Sequence, residues 1–430
     1  MSIMGVLILI VAIINIVYRN LKNKSSVVPI LMMILYGPVL KIGSKNVDSI
    51  YILIIALFVF ILAFNGKLYF GKIKRYVYTT ISVMIVYTVS WLIFSRVDAN
   101  SYLSCIAGGM KLIIILIECY TLNYSFCDRI EKDIANLINV SLIINSLFII
   151  FQTRFFSLSL LILEDIFLST AEYDFILNST YAGHYTRYNG LFGYPMHLGI
   201  FCVLAIAFLL MYRAKQKKDT IWLLSVCMAL YCGIMSASKS FFIGLAVLYC
   251  FYVVENLAQM NDKKKIVFNI FPVLGFVLVV SFQQDIIGIL ENTFGSYVAY
   301  YAQKVAIFFD DFETVFETRL GDSGALNTLY DVVVENFLFG VGPASINGEN
   351  VMDNAVLVII HNGGIIALTI VLSYYAKILR IFYQNHQSLL LIFTILACGM
   401  GFQIWIASPL TVWICYYLEI KTSNFRLNKI

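Results

Sequence analysis

Charge is scarce in this chain. Only 13% of its 430 residues are charged and 60% are hydrophobic. A soluble surface needs about 25–35% charged residues, so a water-exposed globule of this size is excluded. Proline is also thin, at six residues, which leaves long stretches without a helix breaker. The four histidines and nine cysteines form no CxxC pair and no ligand cluster. All cysteines but Cys127 lie in apolar runs and read as small packing hydrophobes. No phosphate-binding glycine loop and no Ser/His/Asp order appears. These absences argue against a nucleotide-driven or zinc-dependent enzyme, and no metal or cofactor is expected. The net charge of +5 gives no nucleic-acid signal, because the cations sit beside apolar runs.

What the chain has instead is membrane-length hydrophobic sequence from end to end. A crossing takes roughly 20 apolar residues. Spans are expected at about 2–18, 27–40, 50–64, 76–94, 103–122, 134–151, 191–212, 221–237, 241–254, 266–282, 354–376, 389–406 and 410–420, or about 12–13 helices. The first run lacks a basic leader and a small-residue cleavage site, so it reads as a retained helix. The expected fold is an all-α polytopic membrane protein. Residues 1–430 form a single transmembrane domain with two long breaks, at 154–190 and 283–352.

Basic residues fall at every second connector: Arg19/Lys22/Lys24, Lys67/Lys72/Lys74/Arg75, Arg129/Lys132, Arg213/Lys215/Lys217/Lys218, Lys263/Lys264/Lys265 and Lys377/Arg380. The tail adds Lys421/Arg426/Lys429. Positive charge stays in the cytoplasm. These connectors and the C-terminus are therefore expected inside, and both long breaks outside. Lys111 and Glu118 share one face of one span, where charge is costly. They are expected to pair with each other or with adjacent helices, the alternative being a relay.

Chemistry is expected where polar chain collects. The second break carries ten carboxylates from Asp285 to Glu349 against only Lys304 and Arg319. Arg319 either pairs with Glu317 or Asp322, or offers a guanidinium fork to a phosphate. The spacing of Leu326, Leu329, Tyr330, Val333 and Phe337 predicts a helix from Ser323, stopped at Gly340-Val341-Gly342-Pro343. The stretch 297–309 is expected to lie along the interface. Arg187 precedes Asn189-Gly190-Leu191-Phe192-Gly193, with His184 and His197 nearby. Lys239 stands in Ser236-Ala237-Ser238-Lys239-Ser240. Asp353-Asn354 opens a helix that carries His361-Asn362-Gly363-Gly364. Each has a plain structural reading as interfacial anchor, cap or packing polar group.

In order, Arg187, Ser236–Ser240, Arg319, Leu338-Phe339-Gly340-Val341-Gly342, Asp353-Asn354 and Gly363-Gly364-Ile365-Ile366 resemble the signature of the O-antigen and capsule polymerase/ligase superfamily (Wzy-type). The lysine at 239 departs from the arginine common there. The resemblance implies a bacterial inner-membrane polymerase, active on the periplasmic or extracellular face. It would move growing glycan from undecaprenyl diphosphate onto the non-reducing end of a new lipid-linked repeat unit. It further implies Arg187 and Arg319 as diphosphate clamps, Lys239 and Asn354 as binding residues, and Asp353 or His184 as base. The expected partners are undecaprenyl-diphosphate-linked oligosaccharides, the lipid bilayer, and a chain-length regulator and flippase of the same pathway. Two alternatives stand. Ligases of the superfamily resemble a pattern with His-Asn where this chain has Asp353-Asn354. A flippase would place its polar residues in a midplane cavity.

Overall fold

The computed structural model describes residues 3–42, 45–94, 99–169, 172–174, 176–177, 187–213, 220–236, 238–257, 336–343, 354–400, 404–406 and 408–427. The helices are α1 Ile3–Leu21, α2 Val27–Tyr36, α3 Ser49–Phe64, α4 Lys74–Phe94, α5 Ala99–Leu122, α6 Ile130–Arg154, α7 Phe156–Ile166, α8 Pro195–Arg213, α9 Thr220–Ser236, α10 Lys239–Leu257, α11 Ala355–Gln384, α12 Leu390–Gly399 and α13 Val412–Leu427. A 3-10 turn, Tyr124–Arg129, leads into α6. Among the described residues six helices, α1, α4, α5, α6, α8 and α11, are long and apolar enough to cross a membrane. Large apolar side chains such as Ile3, Val11, Ile55, Leu147 and Val254 stand exposed on the outer faces. A soluble monomer does not expose apolar surface on this scale, so the chain is an all-α polytopic membrane protein. Every expected span but one carries a helix; the exception, 266–282, lies outside the described residues.

Helix α8 is the centre of the bundle. Leu198, Ile200, Phe201, Val203, Leu204, Ala205 and Phe208 are all fully buried, as a helix apolar on every side requires. Around it pack α6, α9, α10 and α12, and Trp413 and Tyr417 of α13 meet Phe208 edge-on. A second pairing joins α4 to α11, with Tyr76 against Tyr374.

Several expected boundaries need correction. The run 27–40 is not one helix. Pro38 drives the residue before it out of the helical region, and Gly37 is extended at φ −61°, ψ 136°. The chain continues as an antiparallel hairpin, β1 Val39–Ile42 with β2 Lys45–Asp48, pairing Val39 with Asp48 and Ile42 with Lys45. Helix α11 runs on to Gln384, so Lys377 and Arg380 sit within its last turns rather than in a connector. The expected span 389–406 ends as helix at Gly399, where the Trp405 indole fills the space a side chain would need. The last helix extends past 420 and carries Lys421 inside it.

No expected span covers helix α7. Its Leu160 and Leu163 form a small separate core with Leu168 and Ile176, against which Phe148 of α6 and Leu191 pack, so this part of the first break folds back on the bundle.

Among the described residues, three of the basic connectors and the last helix meet at one end. Tyr69 N–H donates to Thr121 Oγ1 at 2.8 Å, Lys72 Nζ to Asn424 Oδ1 at 2.7 Å, and Ser26 N–H to Asn123 Oδ1 at 2.7 Å. Lys421 pairs with Glu131 at 2.7 Å. Phe382, near the end of α11, packs on Phe425, so the start of α11 lies at the opposite end.

Candidate functional site

At that opposite end the chain before α8 makes a tight polar turn. Gly190 has φ +58°, and a Cβ there would collide with the Asn145 side-chain oxygen. Only glycine fits both demands. Two amides of α6 hold the turn from below. Asn145 Oδ1 accepts from Leu191 N–H at 2.9 Å, and Gln152 Oε1 accepts from Gly190 N–H at 3.1 Å. Gln152 Nε2 donates to Asn189 Oδ1 at 2.9 Å, and Asn189 Nδ2 donates to the Phe192 carbonyl. Asn145 Nδ2 donates to Tyr36 Oη at 3.0 Å and to the Ser141 carbonyl at 2.8 Å. Asn145, Gln152 and Asn189 are essentially fully buried.

Arg187, half-buried, stands two residues before this turn. The intervening Tyr188 donates its N–H to the Met235 carbonyl at 3.3 Å and meets Phe156 edge-on. Burial pushes the Tyr188 phenol above its ordinary range, and burial with the Glu172 carboxylate does the same to Tyr194. Both therefore remain neutral at physiological pH. Glu172 accepts from Ser169 N–H at 2.8 Å and from Ser169 Oγ at 2.7 Å, with its other oxygen close over Gly193.

Met235 leads into the α9–α10 turn that bears Lys239. Ser238 is buried, and its Cβ and the Ser236 Oγ lie where a side chain at Gly199 of α8 would go. Lys239 is the first residue of α10. At the other end of α10, Glu255 accepts from Ser388 Oγ at 2.6 Å and Leu389 N–H at 2.8 Å. Helix α12 therefore runs antiparallel to α10 and brings Met400 up beside Lys239's end. There Asn354 Nδ2 donates to the Met400 carbonyl at 2.7 Å. Asn354 also caps α11, its Oδ1 accepting from Val356 N–H at 2.9 Å, as asparagine does best. Arg187, Lys239 and Asn354 thus share one end of the bundle. Arg319, Asp353 and His184 lie outside the described residues, as do the expected helix from Ser323 as far as residue 335 and the stretch 297–309.

Helix α11 is broken. Gly364 has φ +63°, ψ −166°, a region open essentially to glycine alone. The segment Phe337–Gly342 inserts at the break. Val341 and Gly342 N–H groups donate to the His361 and Asn362 carbonyls at 2.8 and 3.1 Å. Ile365 and Ile366 N–H groups donate to the Phe337 and Leu338 carbonyls at 2.9 and 3.4 Å. Each half-helix thus has two of its orphaned groups satisfied by the inserted segment, as backbone at membrane depth requires. Ser90 Oγ adds a bond to the Phe339 carbonyl. Gly340 and Gly342 have φ +66° and +88° and touch α11 and Trp91 backbone respectively. Gly340 N–H closes a turn onto the Asn336 carbonyl at 2.7 Å; the helix expected to stop there lies outside the described residues.

Lys111 pairs with Asp48 at the head of α3 rather than with Glu118, and lies over the Tyr51 ring at 5.5 Å. Glu118 is fully buried, with no hydrogen-bond partner among the described residues. Lys41 donates to the Glu164 carbonyl at 2.6 Å. His361, whose carbonyl holds the inserted segment, is buried with Nδ1 2.9 Å from Asn362 Oδ1. No cluster of three metal-ligating side chains occurs among the described residues.

Sequence reasoning missed Asn145, Gln152 and Tyr36. The available signal was two amides seven residues apart inside the apolar run of α6. No family model matches this chain, and no curated protein matches it.

Proposed function

We propose that the chain is a bacterial polysaccharide polymerase using an undecaprenyl-diphosphate-linked donor. One observation carries the reading: Arg187, Lys239 and Asn354, distant in sequence, gather at the end of the bundle away from the basic connectors. That end also receives the start of α11, next to Asp353, and the segment leading out of the Arg319 loop.

A lipid diphosphate leaving group calls for fixed positive charge where negative charge develops. It also calls for a groove that aligns donor and acceptor. In this reading Arg187, Arg319 and Lys239 bind the diphosphate. The acceptor hydroxyl oxygen bonds to the donor's anomeric carbon, and that carbon's bond to the diphosphate oxygen breaks. The electron pair departs with undecaprenyl diphosphate, and the hydroxyl proton passes to Asp353 or His184. Cations suffice for the charge, so the step requires no metal. The ligase alternative would need His361-Asn362 to serve in place of Asp353-Asn354. His361 is buried where the segment Phe337–Gly342 docks on α11, which counts against it.

The test is deletion in the native host followed by electrophoresis of surface polysaccharide. A single repeat unit on the acceptor is expected. Polymer that still builds on its carrier but stays unattached would mean ligase, and unchanged polymer would refute both. Arg319→Lys keeps charge but loses the bidentate fork. Normal-length polymer from that variant, at normal protein level, would remove Arg319 from the clamp.

A further inference from the structure

We infer that Asn145 and Gln152 are positioning residues whose function is to fix the backbone that presents Arg187. The inference rests on the reading of Arg187 as a diphosphate ligand. Two fully buried amides inside a membrane-length helix are costly, and apolar side chains would pack the same space. The two lie seven residues apart on α6, hence on one face. That face aims at three consecutive residues, Asn189, Gly190 and Leu191.

The bonds are directional, and each amide oxygen and nitrogen of the pair has a partner. Gln152 both accepts from Gly190 N–H and donates to Asn189 Oδ1. Asn145 accepts from Leu191 N–H and divides its donors between Tyr36 and Ser141. A buried network with every member satisfied rigidifies what it holds. Between Arg187 and the Gly190 turn, Tyr188 is tied to the Met235 carbonyl, next to the turn bearing Lys239. The chain that directly follows Arg187 is therefore tied to both α6 and α9, and these bonds set where it stands relative to the start of α10. The amides touch no substrate; they act through the arginine.

The inference is tested with Gln152→Met, which keeps length and flexibility but loses both hydrogen bonds. Arg187→Cys and Asn354→Cys each serve as a reporter for a membrane-impermeant maleimide on the full-length chain, with the native chain as background. Gln152→Met should change the labelling rate of the thiol at position 187 severalfold and leave that of the thiol at position 354 unmoved. In the otherwise native chain it should reduce polymer at normal protein level. A misplacement of about 1 Å costs on the order of a hundredfold in rate. Unchanged labelling at position 187, or equal changes at both reporters, overturns the inference, the second because it marks general loosening. A change at position 187 alone with normal polymer leaves the anchoring intact and refutes the role of Arg187. If Gln152→Met lowers protein level, Asn189→Ala breaks the same contact from the loop side and should give the same pattern.

Discussion

At Gly364 a single residue carries the break in α11. Its dihedrals are closed to side-chain-bearing residues, and an added Cβ would collide with the Leu338 carbonyl. Gly364→Ala must therefore strain the backbone and push out the docked Phe337–Gly342 segment. The strain alone is worth about 1–3 kcal/mol. We expect a clear fall in the midpoint of thermal unfolding of the detergent-solubilised chain, followed by size exclusion. Gly108→Ala is the control: it lies in α5 with open space around it, and alanine is the better helix former. Its midpoint should hold or rise. The glycine pair was plain in the sequence, but the break was not. A helix interrupted at membrane depth becomes stable only when another strand supplies its missing partners, and that strand lies more than twenty residues upstream. The buried amides of α6 escaped for the same reason, since their purpose exists only once the Gly190 turn is folded above them.

Among elements, the hairpin between α2 and α3 shows where an apolar pattern misleads. Val39-Leu40-Lys41-Ile42 continues the hydrophobic run of α2, so hydropathy extends the helix across a residue pair, Gly37-Pro38, that ends it. Ten helical residues cover about 15 Å, half of the roughly 30 Å hydrocarbon layer, and the hairpin carries the chain onward from there. Asp48 then does two things at once. Its Oδ1 caps α3 by accepting from Ile50 N–H at 2.9 Å, while its Oδ2 meets Lys111 of α5. Asp48→Asn keeps a capping oxygen but removes the charge, and Lys111→Met removes the other charge while keeping an unbranched stem. Each single change leaves a half-buried ion without its partner; the double change leaves none. The double variant should therefore be more stable than the sum of the singles by at least about 1 kcal/mol, within the coupling range for residues in contact. Additive losses in the same unfolding measurement would mean that the pair contributes nothing. The sequence exposed Lys111 as a charge needing a partner, but the partner stood sixty-three residues away, at the end of a strand that no expected element covers.

For the whole molecule, the helical inventory was readable because each crossing must be locally apolar, and the alternation of basic connectors was readable because it is a matter of counting. The structure adds that the connectors at 22–26, 65–73 and 123–131 converge with the end of α13, while Arg187, Lys239 and Asn354 gather at the other end. Positive charge held in the cytoplasm turns this two-ended geometry into an orientation that thiol labelling of intact cells can read. Lys239→Cys and Asn354→Cys should react with a membrane-impermeant maleimide added outside. Asn65→Cys and Asn385→Cys should react only after permeabilisation. The native chain sets the background, since its cysteines are buried or sit on apolar outer faces. The sharpest comparison is within α11, whose ends are Asn354 and Asn385. Its start bonds to Met400 through Asn354 and its last turns pack on Phe425 at the end of the connectors, so its two ends must report opposite faces. Labelling of Asn385→Cys from outside with protection of Asn354→Cys would invert the molecule. It would also put Arg187 and Lys239 in the cytoplasm, on the wrong face for a polymerase that receives its repeat units after they have crossed the membrane.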